Sequence, residues 1–232
     1  MSILREVEAL LETRSLEDGR SLLDGSGSIL YSSVSTLVPG PIYFLGLNPG
    51  GSPQNNLDGT LRQSLTDIRN GKNAFCDARW GDRPRQYDCG GAPLQRRVKK
   101  VFAQMGFETR SVPASNLVFT RSRNIRTHDS FRQAIKLCKP VHERFLQAIQ
   151  PRLLLTHGSC ALFKEAFDVS IRAEMMASHA RWKARIGTCL VNKQEIAFAN
   201  LPRLSLWAVD ADTDKGRQRA AVIDWIRDTV LT

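Results

Sequence analysis

The chain has 232 residues, enough for one well-buried α/β domain, and residues 1–232 are read as a single unit. Its 33 Lys plus Arg outnumber 23 Asp plus Glu, giving a formal charge of +10 and a pI near 9.8, a surplus that favours a polyanionic partner. No stretch approaches the ~20 apolar residues of a membrane span, and the five cysteines (Cys76, Cys89, Cys138, Cys160, Cys189) are scattered without a Cys-x-x-Cys pair behind an amino terminus that lacks a signal-peptide pattern, so a soluble, monomeric protein of the reducing cytoplasm is expected.

Ile3, Val7, Leu10 and Leu11 recur at helical spacing and predict an opening helix over Ile3–Leu11, followed by a Gly/Ser loop near Asp24–Ser28. Ile42–Leu47 reads as the first core strand and runs directly into Asn48-Pro49-Gly50-Gly51. Gly46, Gly50 and Gly51 let main chain approach a ligand, and Pro49 fixes a turn that presents the Asn48 amide; the same residue types also build ordinary turns. Asn70–Pro93 is the least structured stretch, a long loop in which Arg79, Arg83 and Arg85 flank Trp80 and Tyr87. Pro93–Met105 predicts a helix with Leu94, Val98, Val101, Phe102 and Met105 on one face, Lys99 and Lys100 on the solvated face, and Gly106 as its stop.

Asn116–Thr120 is the second expected strand, and Arg121, Arg123 and Arg126 follow it. Asp129–Ile149 reads as helical material interrupted at Pro140. Leu153–Thr156 is the third strand, Ser159–Phe167 a crossover helix, Glu195–Ala199 the fourth strand and Lys215–Val230 the closing helix. Gly187–Val191 and Gln194–Ala199 form a hairpin across Asn192 and Lys193, adding a strand beside the fourth. Strands alternating with helices predict a three-layer α/β/α sandwich around a central, mainly parallel four-stranded sheet.

Parallel strands place their carboxyl ends on one edge, where open α/β sheets bind ligands. That edge collects Asn48, the segment Thr120–Arg126, His157 with Gly158 and Ser159, and Asn200–Ser205. Amides and imidazole rather than carboxylates suit recognition of a neutral heterocycle by its hydrogen-bonding edge, and fit poorly with paired-acid hydrolysis or a metal site. Both arginine clusters stand where they could grip phosphates beside such a pocket.

Four segments, in order, resemble the motifs of the uracil-DNA glycosylase superfamily. Gly46-Leu47-Asn48-Pro49-Gly50 is similar to the first motif of its mismatch-specific and single-strand-selective branches, and Ser115-Asn116-Leu117-Val118-Phe119-Thr120 to the second-strand motif. Leu153–Ser159 resembles the third strand with its Gly turn, and Ala199-Asn200-Leu201-Pro202-Arg203-Leu204-Ser205 can be laid without a gap on the family's Ala-His-Pro-Ser-Pro-Leu-Ser. The resemblance implies that Asn48 holds the attacking water, that Gly46, Leu47, Pro49 and Gly50 border the substrate and that Asn116 reads the flipped base. It also implies that Leu204 wedges into the duplex. In that gapless register Asn200 occupies the slot of the family's catalytic His and is a weaker, neutral donor, and in a shifted register Leu201 takes its place. His157 either substitutes for that His or is structural, capping the helix that follows or packing against the sheet. Phe75, or secondarily Trp80, either stacks on the base or anchors the long loop.

Contacts to DNA phosphates fall in this reading to Arg79, Arg83, Arg121, Arg123 and Arg203. His128 and His179 are read as structural or surface residues. Some branches hold an iron–sulfur cluster on four cysteines; Cys138 matches one position, Thr120 stands at another, and no amino-terminal Cys-x-x-Cys exists, so no cluster, metal or organic cofactor is expected. The implied function is a DNA glycosylase that hydrolyses the N-glycosidic bond of uracil or a related damaged base in base excision repair. The alternatives are a binding module that keeps the pocket without the chemistry, and an α/β protein acting on a free nucleotide.

Overall fold

A computed structural model describes residues 2–16, 18–52, 59–81, 86–128, 130–177, 182–191, 193–210 and 212–231. Arg83, Arg85, His179 and Asn192 lie outside these residues. Six strands form one mixed sheet: β1 (Ile42–Gly46), β2 (Ala114–Asn116), β3 (Leu153–His157), β4 (Val169–Met176), β5 (Lys183–Val191) and β6 (Gln194–Leu201), in the order β2-β1-β3-β6-β5-β4. The first four are mutually parallel, while β5 and β4 extend the sheet beyond β6 through antiparallel pairings. The α/β class and the two helical layers agree with the sequence reading; the sheet has six strands where four were expected.

Strand alternation explains the layers. Tyr43, Leu45, Leu154 and Phe198 point to one side and pack under α1 (Ile3–Glu12), α2 (Leu61–Arg69), α5 (Phe131–Ile149) and α6 (Cys160–Phe167). Their sequence neighbours Phe44, Leu153, Leu155 and Ala199 point to the other, under α3 (Ala74–Asp77), α4 (Pro93–Gln104) and α7 (Asp214–Val230). Among the described residues no helix is long and apolar enough to cross a membrane.

Three departures have physical causes. The apolar run Leu117–Phe119, expected within the second strand, leaves the sheet and is buried beneath α5, so β2 ends where the strand was expected to begin. Helix α5 is continuous through Pro140, because its buried stripe from Phe131 to Ile149 holds both halves against the sheet and outweighs the one lost backbone bond. Within the expected loop Asn70–Pro93, buried Gln95 ties α3 to α4: its Nε2 donates to the Ala74 and Ala78 carbonyls (2.7 and 2.8 Å) and its Oε1 accepts from the Ala92 N–H at 2.9 Å. The hairpin stands as expected, with Val191 opposite Gln194 and Lys193 at φ 65°.

One buried polar group crosses the layer beneath α5. His142 has no exposed surface; its Nε2 donates to the Leu117 carbonyl at 3.2 Å and its Nδ1 accepts from the Tyr43 hydroxyl at 3.0 Å, the tautomer being fixed because a carbonyl can only accept.

Candidate functional site

Register brings the four parallel carboxyl ends together: Gly46 lies beside Asn116, Leu45 beside Thr156, Thr156 beside Asn200 and His157 beside Leu201. On the α4 side of this edge opens a cleft of about 460 Å³. Leu47, Asn48 and Gly50 from the β1 exit, His157 from β3, and Arg203 and Ser205 after β6 line it, faced by Leu94 and the Asn124–Arg126 turn. A smaller hollow of about 180 Å³ between the end of α5 and the start of β6 is lined by Gln and apolar residues and offers no reactive group.

Asn48 is held in one orientation. Its Nδ2 donates to the Pro49 carbonyl at 2.9 Å and to the Ser122 carbonyl and Oγ, both at 3.0 Å. Two carbonyl acceptors can be met only by the NH2 end, so the amide cannot flip, and its Oδ1 remains an acceptor with no partner among the described residues. Pro49 is buried, and its carbonyl also receives the Ser122 N–H at 3.1 Å, locking the turn to the 120–128 loop.

Two residues before this amide, Gly46 is buried at the end of β1. A Cβ built there would meet Asn116 Oδ1 at 2.2 Å and His157 Nε2 at 3.1 Å, so both side chains lean over the space that the missing methyl leaves. Asn116 is 7% exposed, and its side chain has no hydrogen-bond partner among the described residues. The half-buried His157 ring stacks on Phe44 (5.4 Å between centroids, 26° between planes), and its Nδ1 has no partner. Burial first, and the Arg203 charge second, push its pKa down to about 4, so it stands as a neutral imidazole at pH 7.

Other sequence-predicted residues take different places. Asn200 points to the opposite face of the sheet, is 1% exposed, and donates through Nδ2 to Thr156 Oγ1 at 2.9 Å, leaving its Oδ1 buried without a partner. It therefore does not face the cleft. Phe75 is 5% exposed in the core, stacked on Tyr31 (5.3 Å, 24°) and edge-on to Phe44 and Phe102, while Trp80 packs against Tyr31 and Phe75. Both serve as anchors of the loop here, and neither lines the cleft. Leu204 is fully buried with Trp207 in the core, so it is not presented to a duplex; two residues on, Leu206 is 63% exposed. Arg97 fixes that turn by donating to the Leu204 and Ser205 carbonyls (2.9 and 2.7 Å) while pairing with Asp210.

Arg79, Arg123 and Arg203 are exposed, and Arg203 lines the cleft. Arg121 donates to Ser26 Oγ at 3.2 Å and to the Gly50 carbonyl, bracing the turn. Arg126, one of the arginines expected to grip phosphates, lines the cleft, whereas Ser122 and Leu206 were not singled out for roles at the site: nothing in their local sequence separates them from ordinary loop residues. Among the described residues no three His, Cys, Asp or Glu stand together as metal ligands; Cys138 is buried and accepts from the Phe119 N–H, and Thr120 is bonded to His128 Nε2 at 2.8 Å. No family model matches the chain, and no curated protein matches it.

The histidines give a stability prediction. His142, by burial, and His157 both have folded pKa values pushed down to about 4 from 6.5, so the unfolded chain takes up their protons first. Their contribution is fully present above pH 6.5 and is lost as pH falls toward 4, by roughly 3 kcal/mol each. Denaturant midpoints measured at pH 7.5, 5.5 and 4.5 should drop steadily; an unchanged midpoint at 4.5 would contradict the buried, neutral assignment.

Proposed function

We propose that the chain is a DNA glycosylase that releases uracil or a related deaminated base, acting as a cytoplasmic monomer in base excision repair. The observation that carries this reading is the Asn48 amide, clamped by the Pro49 and Ser122 carbonyls so that its Oδ1 is left as an open acceptor on a residue that lines the cleft together with a neutral His157. The motif resemblance supports the same reading, and the base-reading role it implies falls to Asn116, whose unpartnered amide lies next to His157 over Gly46.

The chemistry starts when a nucleotide leaves the stack, most easily where it is mispaired. The Asn116 carboxamide offers one acceptor and one donor to the edge of the extruded base. As the bond to the sugar loosens toward an oxocarbenium-like state, the electron pair passes to the departing base. His157, rather than Asn200, then eases the charge there by a hydrogen bond from its neutral ring. The water held by Asn48 Oδ1 bonds to the sugar carbon, and its proton ends on the released base. Among the described residues the cleft is lined by amide, imidazole, guanidinium, hydroxyl and apolar groups.

Duplex contact on this reading comes from Arg126 and Arg203, which line the cleft, with the exposed Arg79 and Arg123 adding phosphate contacts and Leu206 as the apolar prong. Oligonucleotide affinity should fall steeply with salt, and Arg126→Ala or Arg203→Ala should each lessen the slope of log K against log salt by about one. A flat salt response would remove nucleic acid as the partner. The enzyme is separated from a binding module by incubating the protein with oligonucleotides carrying uracil, hypoxanthine or xanthine and cleaving at abasic sites. Strand breaks support the enzyme; salt-sensitive binding without breaks supports the module.

A further inference from the structure

We propose that Tyr43 and His142 are a buried positioning pair that sets where the Asn116 amide stands; the assignment rests on the base-reading role given to Asn116 above. Asn116 is the last residue of β2, and the chain beyond it leaves the sheet. Its placement therefore depends on how the next two peptide planes are held. The Leu117 N–H donates to the Gly46 carbonyl and the Val118 N–H to the Leu47 carbonyl, each at 2.9 Å, which ties the segment to the β1 exit. The second plane is also gripped from the helical layer, where His142 Nε2 donates to the Leu117 carbonyl at 3.2 Å.

That grip is costly, and an aliphatic side chain could fill the same space. The ring lies among Phe119, Phe145 and Phe167, with centroids 5.0, 6.4 and 6.1 Å away, where an imidazole is useful only if both nitrogens are bonded. Tyr43 completes the pair by donating to Nδ1 at 3.0 Å, which keeps the proton on Nε2 and directed at Leu117. Tyr43 is itself on β1, three residues before Gly46. The pair thus links β1, α5 and the residue after Asn116 through one hydrogen-bonded path. Without it the Leu117 carbonyl faces the aromatic cluster unpaired, and the plane turns to find another donor, carrying Asn116 away from its place over Gly46.

The test uses the full-length protein and three variants: Tyr43→Phe, His142→Leu and His142→Gln. His142→Leu should raise KM for a uracil-containing oligonucleotide about tenfold with kcat little changed, because base reading contributes to ground and transition states alike. It should also shift the side-chain amide resonance of Asn116. His142→Gln, whose amide can reach the same carbonyl, should bring KM back to within about threefold of wild type, with Tyr43→Phe between the two. A folded His142→Leu protein that melts earlier but keeps its KM and its Asn116 resonance would reduce the pair to ordinary core packing and overturn the proposal. Should that variant fail to fold, Tyr43→Phe and His142→Gln supply the same two readouts. If wild type releases no base, the glycosylase reading fails by itself; the Asn116 resonance still decides the pair, an unmoved signal in Tyr43→Phe sinking it.

Discussion

Gly46→Ala is expected to lower kcat/KM for base release by at least about a hundredfold while leaving the protein folded. The new methyl would stand 2.2 Å from Asn116 Oδ1, 3.3 Å from its Cγ and 3.1 Å from His157 Nε2. Every one of those atoms belongs to a side chain, so the backbone need not move and the two groups swing aside instead. Overpacking of this kind costs about 1–3 kcal/mol, well within what a domain of this size tolerates. Recognition tolerates much less, since the same swing misplaces both groups meant to meet the base. Circular dichroism and a melting curve close to wild type, together with the loss of release, are the expected pair of results. A Gly46→Ala protein with activity within about threefold of wild type would remove Asn116 and His157 from the site.

Asn48→Ala is expected to lower kcat by about a hundredfold to a thousandfold with KM little changed, the size of effect seen when one oriented polar group is removed from a reacting centre. Asn48→Asp offers a sharper contrast. A carboxylate is the stronger base, yet it would replace the NH2 that satisfies the Pro49 and Ser122 carbonyls with an oxygen 2.9 and 3.0 Å from them. Repulsion should turn the side chain out of place, and activity should stay below wild type. An Asn48→Asp protein faster than wild type would mean that the amide's clamped orientation is irrelevant to the reaction.

The parts of the fold legible in the sequence were those where local pattern and tertiary environment agree. Ile42–Leu47 ends in Asn48-Pro49-Gly50, and the strand does stop there, at a turn fixed to the loop after β2. Leu117–Phe119 misled because burial and strand pairing usually coincide, and here the run is buried beneath α5 outside the sheet. β4 was overlooked although its burial alternates residue by residue; its mixture of Arg, Glu and Met hides a half-exposed edge strand. Asn200 illustrates a stricter limit. Laying its motif on the family pattern fixes a position, but neighbours in a strand point to opposite faces, so a one-residue slip exchanges cleft for core. Ala199 and Leu201 share the α4 face, Asn200 takes the other, and the polar group left at that edge of the cleft is His157, paired with Leu201. Ser122 and His142 left no sequence signature because their roles arise from contacts 74 and 25 residues away along the chain.

The most direct measurement is free base released from a uracil-containing oligonucleotide in a single turnover, with wild-type and Asn48→Ala protein in excess and the base quantified by chromatography against abasic sites. A glycosylase cleft predicts uracil and abasic sites appearing in equal amounts with wild type, and at least about a hundredfold more slowly with Asn48→Ala. Equal rates for the two proteins, or no free base from uracil, hypoxanthine or xanthine substrates that wild type demonstrably binds, would contradict it.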